Sequence, residues 1–208
     1  MFFPIFTTVL IVFGLFKIYI RMSGKKVDNS AKDFLERESR ANGVRRQPLT
    51  DIKYIELDLS MLPIDLDTDD EELKAYQDKV VSMEGKKISN LSSYTNTDLK
   101  FKYGPANLDY LTQCDQNFLE LVRELYRWGD YLYKKGELEK AVKVLEYGVT
   151  IHSDVKSNYK LLADIYANSF DFASIDRITK EAEKIESPNR DSIIEMLKCT
   201  DYFKEAPL

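Results

Sequence analysis

Cysteine and histidine are nearly missing from this chain: its 208 residues include two cysteines, Cys114 and Cys199, and one histidine, His152. Two cysteines cannot build a disulfide scaffold and suit a reducing compartment. One histidine and two distant cysteines cannot supply an ordinary zinc site, and nothing else calls for a metal or cofactor, so neither is expected. The sequence also lacks a glycine-rich phosphate loop, a nucleophile elbow and an HExxH pair, and no signature surrounds His152. Catalysis therefore finds no support, and the chain reads as a non-enzyme. His152 is expected to be exposed and inert in a loop, and the two cysteines to act as small hydrophobes. An excess of positive charge is missing too. Thirty Lys and Arg stand against 35 Asp and Glu, for a net charge of −5 and a pI near 5.1, which removes the electrostatic reason to bind nucleic acid.

What is present is unevenly placed. Between Lys17 and Lys53 ten bases face five acids, so that segment is +5; no charge precedes it, and the rest of the chain from Tyr54 carries −10. Residues 2–20 form an apolar run of bilayer-spanning length whose one charge, Lys17, lies near its end and can snorkel. A cleaved signal peptide would need bases before the run and small residues after it, and neither occurs. An amphipathic or buried helix would need polar residues at helical spacing. The run is thus expected to be a single transmembrane anchor. Lys17, Arg21, Lys25, Lys26 and Lys32 follow it, and the positive-inside rule then puts the N-terminus outside and the C-terminal body in the cytoplasm of a cell-membrane protein. These bases could also hold the chain against anionic lipid. The acids Asp28, Asp33, Glu36 and Glu38 dilute them, which favours a role in topology alone.

Four segments follow from this reading: an anchor over 1–22, a basic juxtamembrane stalk over 23–47, a mixed arm, helix and loop over 48–107, and a helical domain over 108–208. The stalk is expected to be helical from 28 to 42, stopping at Asn42-Gly43. Partial alternation of Ile52, Tyr54, Ile55, Leu57 and Leu59 between Pro48 and Pro63 suggests an extended arm. A helix should start near Thr68, capped by Thr68 or Asp67, and stop at Gly85. The acidic run from Asp65 fails as a calcium loop, because Asp70 stands where glycine is required and Tyr76 where glutamate is required. Residues 88–107 read as an irregular loop with one extended piece, carried by Leu99, Phe101 and Tyr103.

The strongest signal is a self-similarity in the C-terminal half: 125–151 recurs thirty-four residues later as 159–185. The paired positions are Leu125/Tyr159, Trp128/Leu162, Gly129/Ala163, Leu132/Tyr166, Ala141/Ile175, Leu145/Thr179, Gly148/Ala182 and Ile151/Ile185. The first four of each unit share one face of one helix and the next four one face of a second, with turns at Lys135-Gly136 and Asn168-Ser169. Gly129, Ala163 and Ala141 let the helices of a hairpin approach closely. This pattern resembles the tetratricopeptide repeat family, most closely over Arg127 to Ala141 with Gly129, Gly136 and Ala141. The second unit departs from it at Ile175 and Thr179. A helix from Arg190 to about Tyr202 looks like a cap, and residues 108–121 are expected to extend or cover the first helix. The expected fold is mostly α, an anchor followed by a short solenoid of two repeats and a cap.

The resemblance implies a concave surface lined by the first helix of each unit: Arg123, Tyr126, Asp130, Tyr133 and Lys134, then Lys160, Asp164 and Asn168. Tyrosines among charges suit a peptide groove, since Tyr offers contact area at low entropic cost. The family's carboxylate clamp is lacking, because Tyr126 and Asp130 stand where its lysine and asparagine belong. The sequence thus points to a membrane-anchored adaptor or tether that contacts the bilayer through residues 2–20 and binds an unidentified protein. The alternative is an assembly subunit that self-associates or docks on a membrane complex.

Overall fold

In a computed structural model of the protein, residues 13, 16–17, 31–65 and 67–198 are described. The fold is mostly helical: no strand occurs among those residues, and one isolated antiparallel bridge joins Ile55 to Ile88. The helices are α1 over 31–42, α2 (Glu71–Val81), α3 (Asn96–Tyr103), α4 (Leu108–Lys134), α5 (Leu138–Thr150), α6 (Lys156–Asn168), α7 (Phe172–Ala182) and α8 (Arg190–Leu197).

The expected single-pass anchor, and with it the placement of the body in the cytoplasm, is corrected. No helix among the described residues is long and apolar enough to cross a membrane. At 27 residues α4 has the length, but Asp109, Asp115, Glu120, Arg123, Glu124, Arg127, Asp130 and Lys134 along it could not enter hydrocarbon without large cost. Residues 2–20, which carried the expectation, lie outside the described residues apart from Phe13, Phe16 and Lys17.

The chain divides into two compact units, one including 31–48 with Asn96–Leu108, the other Leu49–Thr95 with the described residues from Asp109 onward. In the first unit the polar helix α1 is tied to α3. Arg37 pairs with Asp98 at 2.6 Å, and the Glu38 carboxylate takes a hydrogen bond from Thr97 at 2.7 Å and an ion pair from Lys100. Helix α3 replaces the expected loop. Leu99 and Tyr103 are both buried, the i,i+4 spacing of a helix face, whereas Phe101, which suggested alternation, is exposed. Gly104 follows at φ +83, and a Cβ there would lie 2.7 Å from the Arg45 carbonyl oxygen. No other residue fits a backbone approach that close.

In the second unit, α2 begins later than expected. Asp70 is its N-cap, its carboxylate accepting from the Leu73 N–H at 3.2 Å, while Thr68 Oγ1 accepts from the Asp70 N–H. Apolar residues of α2 and of the turn after it (Leu73, Val80, Met83, Ile88) share one core with Phe118, Leu121, Leu125, Trp128 and Leu132 of α4 and Ala141, Val144 and Tyr147 of α5. The arm lies on the same core through Ile55, Leu57, Leu59 and Ile64. Along it these half-buried residues alternate with exposed Glu56, Asp58 and Ser60. The Asp58 N–H donates to the Tyr147 hydroxyl at 2.8 Å. Residues 108–121 continue into the following helix as one uninterrupted rod, α4.

The 34-residue offset is visible in the packing. Of the sixteen paired positions only Tyr166 and Ile151 are half-buried; the rest are buried. Gly129 meets Leu145 so closely that a Cβ would lie 2.6 Å from Cδ2, the close approach expected of it. The turns repeat as well. Gly136 has φ +81 and Phe170, thirty-four residues on, φ +57. The Glu137 N–H bonds the Leu132 carbonyl at 2.9 Å, and the Asp171 N–H bonds that of Tyr166 at the same distance. Both helices thus end in the same left-handed C-terminal motif. The departures at Ile175 and Thr179 are accommodated: Ile175 is fully buried, and the Thr179 hydroxyl returns a 2.7 Å bond to the Ile175 carbonyl, so its polarity is satisfied inside the helix. A second core joins Leu145 and Val149 of α5 with α6, α7 and, through Ile193 and Leu197, α8.

Candidate protein-binding face

The exposed face of α4 is produced by its own amphipathicity. Leu125, Trp128 and Leu132 turn into the core, and residues on the opposite side of the rod face outward. Arg123 and Lys134 are exposed, and Tyr126, Asp130 and Tyr133 are half-buried. The two tyrosines lean to one side: both pack on the core shared with α6, and Tyr133 also touches the core shared with α2. On α6, Lys160 and Asn168 are exposed and Asp164 is half-buried.

The expected stripe is only partly one site. Asp130 and Lys134 form an i,i+4 ion pair at 2.7 Å and line a cleft of about 320 Å³ together with Arg127, Tyr131 and Lys135 of α4 and its C-terminal turn, and Glu72 and Tyr76 of α2. Arg123, Tyr126, Tyr133, Lys160, Asp164 and Asn168 do not line this cleft. Lys160 and Asp164 instead pair with each other along α6 at 2.7 Å. Sequence reasoning missed Glu72 and Tyr76, because nothing in the local pattern of α2 says which face of α4 it will cover. It also missed Tyr131, which sits between two core positions and offers no periodic signal of its own.

The cleft wall is fixed by a small polar network. The Tyr131 hydroxyl donates to the Asp70 carboxylate at 2.7 Å, Lys135 approaches the same carboxylate at 3.3 Å, and the Tyr76 and Tyr131 rings lie tilted with centroids 5.5 Å apart. The Tyr131 hydrogen bond, more than any other contact, holds the Asp70 carboxyl below its usual range, with the Leu73 N–H helping, and it raises Tyr131 in return. Burial, followed by the Glu72 charge, raises Tyr76. Lys134 is raised by its hydrogen bond to Asp130. Glu124 is nearly inaccessible and bridges Arg127, which lines the cleft, at 2.7 Å and Lys79 at 3.3 Å. The result is two tyrosine rings framed by mutually compensated charges. Such a surface offers stacking area and paired hydrogen-bonding groups without a strong field of either sign. Among the described residues no group of three or more His, Cys, Asp or Glu side chains could hold a metal ion.

His152 is not the exposed loop residue expected. It is half-buried, has φ +55, and its Nδ1 is buried without a hydrogen-bond partner among the described residues. Cys114 is buried as expected, and burial pushes its thiol up and away from thiolate chemistry. Cys199 lies outside the described residues. No family model, no curated protein and no solved structure matches this chain.

Proposed function

We propose that the chain is an interaction module of the tetratricopeptide-like helical-repeat type, binding a peptide segment of another protein along the exposed face of α4. The observation that carries this reading is the cleft between α2 and α4, where Tyr76 and Tyr131 stand with the expected groove residues Asp130 and Lys134. The solenoid reading draws support from the 34-residue repetition of buried positions and of the two left-handed turns. In this reading α2 and the arm stand where a preceding repeat would, covering the apolar side of α4 and α5 that two repeats leave bare.

The test reverses charge on the exposed residues of this face in the full-length protein. Arg123→Glu with Lys134→Glu is compared with Lys180→Glu on α7, and proteins co-purifying from the native source are quantified for each. The expected result is a protein retained by the wild type and by Lys180→Glu but depleted at least ten-fold by the double variant. An unchanged set of partners would remove the support for this face. A full-length protein that forms a stable dimer and captures nothing else would favour a self-assembling subunit.

A further inference from the structure

A separate pocket lies on the N-terminal half of α4. Tyr110, Gln113, Cys114 and Asn117 follow one another at helical spacing as its floor, with Glu120 at the far end, and the segment Lys86-Lys87 after α2 forms its wall; the volume is about 460 Å³. Several bonds hold the wall in place. The Asn117 side-chain amide donates to the Lys87 carbonyl at 2.9 Å, the Ser89 N–H to the Cys114 carbonyl at 3.2 Å, and the Leu91 N–H to the Asp115 carboxylate at 2.9 Å. Gly85 at φ +75 makes the bend that turns the chain back from α2.

Two features give this pocket a chemical preference. Neither Lys86 nor Lys87 forms an ion pair with an acid among the described residues, and the Lys87 ammonium lies 5.3 Å from the centroid of the Tyr54 ring. The Tyr54 and Tyr110 hydroxyls are 3.2 Å apart. Either hydroxyl can donate in this pair, and the Tyr110 hydroxyl is also in hydrogen-bonding contact with the Cys114 thiol. Hydrogen bonding to Tyr54, with burial adding to it, raises Tyr110, so its hydroxyl stays protonated across the neutral range. The two ammonium groups of the wall, facing a floor with one acid, Glu120, at its far end, supply charged donors to the pocket.

We infer that this pocket receives a carboxylate side chain from an acidic segment of a partner protein, bound by Lys86, Lys87 and the Tyr110 hydroxyl, all of which line it, with Tyr54 holding that hydroxyl from outside the lining. It is a different surface from the α2–α4 cleft and stands whether or not that cleft binds a peptide. The Asn117 amide accepts from Gln113 and donates to the Lys87 carbonyl, and serves to position the wall.

The experiment titrates the full-length, uniformly 15N-labelled protein with acetylated hexaglutamate and, separately, with hexalysine and inorganic phosphate, following backbone amide signals. Hexaglutamate should shift residues 86, 87 and 110–117 selectively, and tripling the salt concentration should weaken it several-fold. Lys86→Gln with Lys87→Gln should reduce the affinity at least ten-fold without changing the circular dichroism or the urea midpoint. Tyr54→Phe with Tyr110→Phe, which leaves both cations in place, should reduce it by a smaller factor. No selective shift, an affinity untouched by the lysine variant, or an equal response to inorganic phosphate or to hexalysine would each overturn the inference.

Discussion

Phe170 occupies a position that the fold would fill with glycine. It is 61% exposed and held at φ +57, thirty-four residues after Gly136, which makes the same turn at φ +81. A non-glycine residue in the left-handed region costs about 1–2 kcal/mol, offset in part by the entropy that glycine loses on folding. Phe170→Gly should therefore raise stability by about 1 kcal/mol and remove an exposed apolar ring, as read by urea denaturation; a loss of stability would mean that the ring makes contacts the turn depends on. Tyr159 is the converse case. It is fully buried, its hydroxyl has no partner among the described residues, and burial together with the Glu181, Asp154 and Glu146 charges holds it in the neutral form. Removing an unsatisfied buried hydroxyl is neutral to stabilising, so Tyr159→Phe should change the unfolding free energy by about 0 to +1 kcal/mol. A marked destabilisation would show that the hydroxyl is bonded in solution.

Between elements, the hairpin of α4 and α5 depends on a contact that admits no side chain. Gly129→Ala would drive a Cβ to 2.6 Å from Leu145 Cδ2 and 2.7 Å from its Cγ, so the whole isobutyl group must shift. Overpacking of this kind costs about 1–3 kcal/mol, and the equivalent Ala163 shows that the second hairpin is built for the larger residue. Thermal unfolding of Gly129→Ala and of Ala163→Gly would compare the two: the first should lower the midpoint by steric conflict, the second by cavity and helix propensity. The hairpins were legible because their signal is periodic. Eight positions repeated at one offset give the helices, their inward faces and their order. The other elements carried no repeat. Helix α3 was hidden because Leu99, Phe101 and Tyr103 fit a period of two as well as Leu99 and Tyr103 fit a helix, and packing, not propensity, decided between them. The cap of α2 was misplaced because Asp67, Thr68 and Asp70 can all cap a helix, and only the Leu73 N–H and the Tyr131 hydroxyl single out Asp70. The binding face was half legible: amphipathicity exposes Asp130 and Lys134, but the α2 residues that complete the cleft come from a distant part of the chain.

For the molecule as a whole, acid should be the more damaging direction of pH. Among the described residues, carboxyls are held below their ordinary values by hydrogen bonds: Glu38 chiefly by Lys100, Asp70 by Tyr131, Asp171 by Ser174 and Glu181 by Lys184. A carboxyl depressed in the folded state stabilises it above the unfolded pKa, near 4, and that contribution is lost as pH falls through the folded value. Asp115 runs the other way, because burial raises it, so its own penalty is relieved as it protonates. With the depressed carboxyls outweighing Asp115, the urea midpoint should be level from about pH 5 to 7 and fall below about pH 4. Asp171→Asn should flatten the fall, and a midpoint that held steady to pH 3 would contradict the balance. The charge split in the sequence, +5 up to Lys53 and −10 beyond it, survives as a fact of composition, although the anchor and orientation drawn from it do not stand.

The unbroken rod of α4 also makes the protein a ruler. Thirteen residues separate Asn117, in the floor of the acidic-segment pocket, from Asp130, in the cleft. At 1.5 Å per residue these points stand about 20 Å apart along a helix that neither bends at a proline nor breaks at a loop. Thirteen residues at about 100° each also turn the two points about 140° apart around the helix, so a single partner strand, advancing about 3.3 Å per residue, needs more than the roughly six residues that the axial rise alone requires between its acidic anchor and its groove-binding portion. A shorter spacer would force a choice of one grip or the other, and a longer flexible one would lower the effective concentration of the second grip. The length of one helix thus becomes a selection rule on partner sequences.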